Sequence, residues 1–328
     1  MLLVNILASL VWYHWLIIGV SIFVFVSLVV GAALMIETGR RVYLHTLSKR
    51  MDNDWGRVCS APNNPEQVKM WDDGIAYMKQ FQDKKHDISI TSKDGLKLAA
   101  EFYDFGGKKS VVFLCGRCEC LIYGYFYAKP YIEKGYNCLF IDPRAHGYSE
   151  GEFATVGIKE GEDALEWMKY VSKEFGQEKF TLHCLCVGGS AGLIATTSQE
   201  NPGLVEAIVF DGLFISFLDS YRRHYVDLGH KVFPVFYIIW WWFKYYTGVS
   251  VKQSNPEKLI QQIDCPVLFI HTKTDKYSIP ENVEKMYATV KNENKKIVWF
   301  DIGSPSHIRN NATDKYDNAV KDFLTSLQ

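Results

Sequence analysis

The sequence predicts an α/β protein, a mainly parallel sheet covered by helices on both faces, tethered to one N-terminal transmembrane helix. Three observations carry this expectation. From His86 onward, short runs rich in β-branched and aromatic residues alternate with longer segments of helical spacing. Several of those runs are apolar almost throughout, as strands buried on both faces are. Residues 1–36 contain no Lys, Arg, Asp or Glu.

The charge-free start is the first element. From Trp15 to Ile36 it offers 22 residues, enough to cross a hydrocarbon core of roughly 30 Å as a helix. A cleavable signal peptide has a basic beginning and a shorter apolar stretch, so residues 1–39 are expected to be a retained anchor. Arg40, Arg41, Lys49 and Arg50 follow the span. The positive-inside rule then predicts a single-pass membrane protein with its catalytic domain on the cytoplasmic side.

Residues 40–84 form an expected stem, in which "APNNPEQ" is a breaker and Gln67–Phe81 carries Val68, Trp71, Ile75 and Met78 at helical spacing. The main domain is expected over 85–328. Its strand candidates are "DISIT", "KLAAEFY", "SVVFLC", "YNCLFID", "KFTLHC", "VEAIVFD", "CPVLFIH" and "KIVWFD", eight in all, with helices near 122–134, 158–174, 188–200, 281–291 and 313–326. The first two strands, joined by "SKDG", read as a hairpin. Between "VFDG" and "CPVLF" lies a cap at about 213–256, with "FPVFYIIWWWFKYY" from Phe233 to Tyr246. This segment reads as a buried cap helix or as an aromatic lip resting on the bilayer. It is too short before Lys244 to be a second span.

Lys and Arg total 36 against 37 for Asp and Glu, a formal charge of -1, which argues against a nucleic-acid partner. Eight cysteines in a chain of this length, five of them in two short motifs, read as free thiols in a reducing compartment.

Four motifs stand out on this background of strands and helices: "ITSKDGLKL" at 90–98, "GYNCLFIDPRAHGYSEG" at 135–151, "PVLFIHTKTDKYSIP" at 266–280 and "GSPSH" at 303–307. In this order, these motifs resemble the α/β-hydrolase fold, in particular bacterial membrane-anchored hydrolases of the Bem46-like and serine-aminopeptidase-like type. The resemblance covers about residues 65–328. It implies a nucleophile, an acid and a histidine in that chain order, with the nucleophile on a sharp strand-to-helix turn.

Two registers compete for that turn in "TLHCLCVGGSAGLIATTSQENPG". The elbow Cys184–Leu185–Cys186–Val187–Gly188 starts the helix directly after the strand and makes Cys186 the nucleophile. The elbow Gly188–Gly189–Ser190–Ala191–Gly192 satisfies the literal Gly-x-Ser-x-Gly pattern, with Ser190 as the alternative nucleophile. We favour Cys186, because this register keeps the "LH" of the family pattern in step. A helix N-terminus and a neighbouring imidazole would lower its thiol pKa below the free value of roughly 8.5.

The resemblance further implies Asp275 as the acid, His307 as the base, and an oxyanion hole from the backbone N–H groups of Val187 and Arg117. The chain departs from the family by carrying Cys115 where a histidine usually precedes the glycine of that loop. Asp142, Arg144 and His146 are assigned to a structural turn. Cys115, Cys118 and Cys120, with Cys184 and Cys186 on a neighbouring strand, are expected near one rim, where redox control of a catalytic cysteine is conceivable. Neither spacing matches a common metal site, and no metal or cofactor is expected.

The expected function is a membrane-anchored hydrolase or acyltransferase acting on an ester, thioester or amide through an acyl-cysteine. The competing expectation is a catalytically silent hydrolase-fold binding or redox-sensing protein at the membrane. The expected partners are a small, apolar acyl substrate and the lipid bilayer.

Overall fold

A computed structural model describes residues 2–47, 49–51, 55–303 and 307–327. Among these, eight strands form one sheet in the order β1-β2-β4-β3-β5-β6-β7-β8. β1 (Lys85–Thr91) and β2 (Lys97–Tyr103) are the expected hairpin, and β2 joins β4 (Asn137–Ile141) in antiparallel fashion. β3 (Lys109–Leu114), β4, β5 (Lys179–Leu185), β6 (Val205–Asp211), β7 (Val267–Thr272) and β8 (Lys295–Phe300) run parallel.

Strand alternation divides the core between the two faces of the sheet. Val112 and Leu114 of β3 pack with α5 (Ile158–Phe175), α6 (Val187–Thr197) and α10 (Pro280–Thr289). Val111 and Phe113 pack with α2 (Pro65–Met78), α3 (Ile122–Tyr125), α4 (Lys129–Ile132) and α11 (Thr313–Thr325). The single helix expected near 122–134 is thus two short ones. Pro130 lies in the first turn of the second, where its missing N–H costs nothing but prevents one continuous helix.

The turn after β4 is a structural knot. Asp142 accepts the N–H groups of Leu121 and Tyr148, each at 2.8 Å. Arg144, buried, forks onto Asp163 at 2.7 and 2.8 Å and reaches Asp94 at 2.8 Å.

Between β6 and β7 lie α7 (Phe217–Asp227), α8 (Val235–Thr247) and α9 (Pro256–Leu259). The first two share a third apolar cluster with the end of α1 (Leu2–Thr46). α1 is long and apolar enough to cross a membrane. Its last turns enter the body of the protein, where Tyr43 and Leu47 are fully buried. Gly39 permits this approach, since a Cβ there would lie 2.5 Å from the Ile238 side chain of α8.

Candidate active site

β5 ends at Leu185 and α6 begins at Val187, which leaves Cys186 alone at the turn. Its backbone stands at φ 48° and ψ −106°, a conformation that costs a non-glycine residue on the order of 1–3 kcal/mol and persists only where the surroundings impose it. The Cys186 N–H donates to the Asp211 carbonyl at 2.9 Å, and the Cys186 carbonyl accepts from Gly189 at 3.0 Å. The turn also needs Gly188, because a Cβ there would stand 1.9 Å from the Leu114 carbonyl oxygen.

Ser190 lies within α6 and is fully buried. Its Oγ is 2.9 Å from Oγ of Ser254, which in turn donates to the Val156 carbonyl at 2.8 Å. Ser190 therefore donates, and its hydroxyl ties α6 to the segment before α9.

Cys186 opens onto a cavity of about 230 Å³ that Arg117, Val187 and Asp275 also line, roofed by Phe217, Tyr221 and His224 of α7. Four of the residues expected in the site therefore meet there. His307 is not part of that lining. Its Nδ1 lies 3.0 Å from Oε2 of Glu66, at the start of α2, and its Nε2 lies 3.5 Å from Oε1 of Glu119. The other Glu119 oxygen accepts the Gly116 N–H at 2.8 Å.

The expected hydrogen bond between Asp275 and His307 is absent. Asp275 Oδ1 accepts the N–H groups of Tyr277 and Ser278, each at 2.8 Å. Its buried Oδ2 has no hydrogen-bond partner and lies 3.4 Å from His271 Nε2. That nitrogen donates to the Ser278 carbonyl at 2.7 Å. Burial raises the pKa of Asp275 against these two N–H groups and His271.

The physical reason for the correction is electrostatic. Burial disfavours charge on His307, but Glu119 and then Glu66 outweigh it and raise its pKa, so the ring pairs with these two acids and not with Asp275. The thiol departs from expectation in the same sense. Burial, followed by the nearby Glu119 and then Asp275, pushes Cys186 up to about 12 against the opposing Arg117. A neutral thiol replaces the expected activated one.

Cys184, Cys120 and Cys186 do not share one rim. All eight cysteines are free, but Cys184 packs in the core on one face of the sheet and Cys120 on the other. Cys186 borders the cluster formed with the cap. Among the described residues, no group of three or more His, Cys, Asp and Glu is placed to hold a metal ion.

No protein-family model matches the chain. YqkD, an uncharacterized protein of Bacillus subtilis, is 24% identical over 206 residues, which cover 61% of this chain and 66% of that protein, just under two thirds of its length. Among solved structures, an esterase of Pyrococcus furiosus superposes with a TM-score of 0.62 at 21% identity, covering 76% of this chain and 93% of that one. An α/β hydrolase from Penicillium sp. has a TM-score of 0.56 at 17% identity, over 74% of this chain and 98% of that one. An esterase from Exiguobacterium antarcticum has a TM-score of 0.51 at 15% identity, over 74% and 99% of the two chains.

The chain has the α/β-hydrolase fold. Cys186 occupies the sharp turn after β5, Asp275 the loop after the penultimate strand and His307 the loop after the last one. Residues 304–306 of the "GSPSH" motif lie outside the described residues.

Four residues of this hydrolase-fold site were not legible in the sequence: Glu66, Glu119, His224 and Thr46. Glu119 follows Arg117 by two positions, but nothing in its neighbours says that its carboxylate turns back onto Gly116. His224 enters the cavity from α7, and burial followed by Arg117 lowers its pKa. The Thr46 carbonyl, at the end of α1, accepts from the Arg117 guanidinium.

Proposed function

We propose that this chain is a membrane-anchored hydrolase or acyltransferase that takes an acyl group from an ester, thioester or amide onto Cys186. The observation that carries the reading is Cys186 itself, held at positive φ in the elbow and open to a cavity that it shares with Asp275. Strained non-glycine backbone clusters at active sites and ligand clamps, and that of Cys186 borders the cavity. Its likeness to esterases, and the resemblance to Bem46-like membrane-anchored hydrolases, favour an ester-type substrate. α1 and the basic residues after it favour a single span with the hydrolase domain in the cytoplasm.

In this mechanism His307 first loses its proton and leaves Glu119. It then accepts the Cys186 thiol proton as Sγ bonds to the substrate carbonyl carbon. The Val187 and Arg117 N–H groups hold the developing oxyanion. The bond to the leaving group breaks, that group takes the proton from His307, and an S-acyl-cysteine remains. Water or an amine, deprotonated by the same imidazole, then attacks the thioester and releases Cys186. Asp275, with one buried oxygen unpartnered, would receive the Nδ1 proton donor of His307 once Glu66 lets it go.

One observation favours a second reading. His307, paired with Glu66 and Glu119 and away from the Cys186 cavity, suits a silent fold that binds a ligand or senses oxidants through Cys186. Incubation of the purified full chain with p-nitrophenyl butyrate, followed by intact-mass and peptide analysis, separates the two. A butyryl adduct on Cys186 that is lost in Cys186→Ala supports the acyl-enzyme. No adduct and no ester turnover at any pH from 6 to 10 would leave the silent fold.

A further inference from the structure

The cap helix α8 has two faces of different character. Phe236, Ile239 and Phe243 turn inward and are buried. Tyr237, Trp241 and Tyr245, four residues apart and hence on one stripe, are each more than half exposed, and the exposed Phe233, just before the helix, stands with its ring 6.5 Å from that of Tyr237. An exposed aromatic stripe of this length is costly in water and characteristic of the interfacial layer of a bilayer, where an apolar ring and a polar edge are both satisfied.

The position of the stripe relative to α1 identifies what covers it. Trp242 donates its indole N–H to the Ile36 carbonyl at 3.0 Å, and Ile36 is the last residue of the charge-free stretch. The Gly39–Ile238 approach repeats the contact one turn further on. α8 is thereby held at the level where the apolar span ends and Glu37, Arg40 and Arg41 begin. α8 packs along α1, whose Leu34, Met35 and Ile36 stay exposed at that level. The charge of the segment points the same way: from Leu228 to Pro256 there is no Asp or Glu, while Lys231, Lys244 and Lys252 are present. Such a surface suits anionic headgroups.

On its inner side α8 leads to the cavity. Trp240 packs its ring 5.3 Å from Tyr221 and 6.1 Å from Phe217, and both of these line the cavity beside Cys186. The Tyr221 hydroxyl lies 3.2 Å from Oγ1 of Thr46 in the last turn of α1.

We infer that the outer face of α8 lies in the headgroup layer of an anionic phospholipid bilayer, and that the Cys186 cavity draws its acyl substrate from that layer. The inference about the surface stands by itself, whereas the inference about the substrate rests on the proposed acyl-cysteine chemistry.

Photo-crosslinking tests the surface without any turnover. The full chain, with p-benzoylphenylalanine replacing Tyr237 or Trp241, is reconstituted into vesicles of phosphatidylglycerol and phosphatidylcholine and irradiated. The comparison position is Lys173, whose side chain is 83% exposed at the far end of α5. Lipid adducts at 237 and 241 and none at 173 are expected. Adducts no more frequent at 237 and 241 than at 173 would overturn the inference.

Turnover tests the substrate. Tyr237→Glu/Trp241→Glu should lower hydrolysis of vesicle-borne p-nitrophenyl palmitate by about tenfold and change that of dissolved p-nitrophenyl butyrate less than about twofold. Equal losses on both esters would refute delivery from the bilayer. If the wild-type chain hydrolyses neither ester yet crosslinks to lipid, the acyl-cysteine chemistry fails while the bilayer face stands.

Discussion

His307 holds Nε2 3.5 Å from Oε1 of Glu119, and the same carboxylate raises the pKa of both His307 and Cys186. Burial is the larger cause for the thiol, and this one buried acid adds to it while favouring the protonated imidazole, the opposite of what nucleophilic attack requires. Glu119→Gln removes that charge and retains an acceptor for the Gly116 N–H. Iodoacetamide should then alkylate Cys186 about tenfold faster at pH 7, the effect of roughly one pKa unit on a thiol. An unchanged rate would mean that Glu119 does not govern the thiol.

The raised pKa of His307 also has a consequence for stability. A folded-state pKa above the unfolded value of about 6.5 means that the ion pair contributes fully below that value. Its contribution is lost as pH rises through the folded value. Glu66→Gln, which removes the partner 3.0 Å from Nδ1, should therefore lower Tm at pH 6 and have a smaller effect at pH 9. Thermal unfolding of the detergent-solubilised chain at both pH values checks the sign, and a larger loss at pH 9 would contradict it.

If His307 is the base, His307→Ala should reduce ester turnover by about 10²- to 10⁴-fold. Acylation of Cys186 should remain measurable at high pH, where the thiol ionises unaided. Cys186→Ser should not restore activity, since a hydroxyl depends wholly on that base. Turnover of p-nitrophenyl butyrate from pH 6 to 10 would contradict the role if His307→Ala follows the wild-type profile.

Arg144 carries no assigned chemistry, and its loss should act on stability alone. Arg144→Ala strands the buried Asp163 carboxylate without its forked partner. Breaking a buried pair from one side costs about 3–5 kcal/mol. Urea unfolding of the solubilised chain should register this as a lower midpoint. A loss within the range of ordinary surface substitutions, about 0.5 kcal/mol, would show that Asp163 finds water or another donor.

The sequence by itself determined the eight strands, the helices that cover them, the apolar N-terminal helix and the register that sets Cys186 at the end of β5. The strands, helices and span are written in local periodicity, two for a strand, 3.6 for a helix and an unbroken apolar run for a span, whereas the register came from the resemblance, whose pattern it keeps in step. It also put Ser190 inside α6, since a helix that starts at Val187 must bury the residue one turn after the elbow. Tertiary structure alone decided which partners His307 takes, because Glu66 and Glu119 are 241 and 188 positions away in the chain and meet it only after α2 and the loop beyond β3 have packed. It likewise decided that α1 ends inside the body, with Thr46 on Arg117 and Trp242 on Ile36. Pairings of this kind depend on how buried charges and donors are satisfied once the backbone is in place, and no spacing along the chain encodes them.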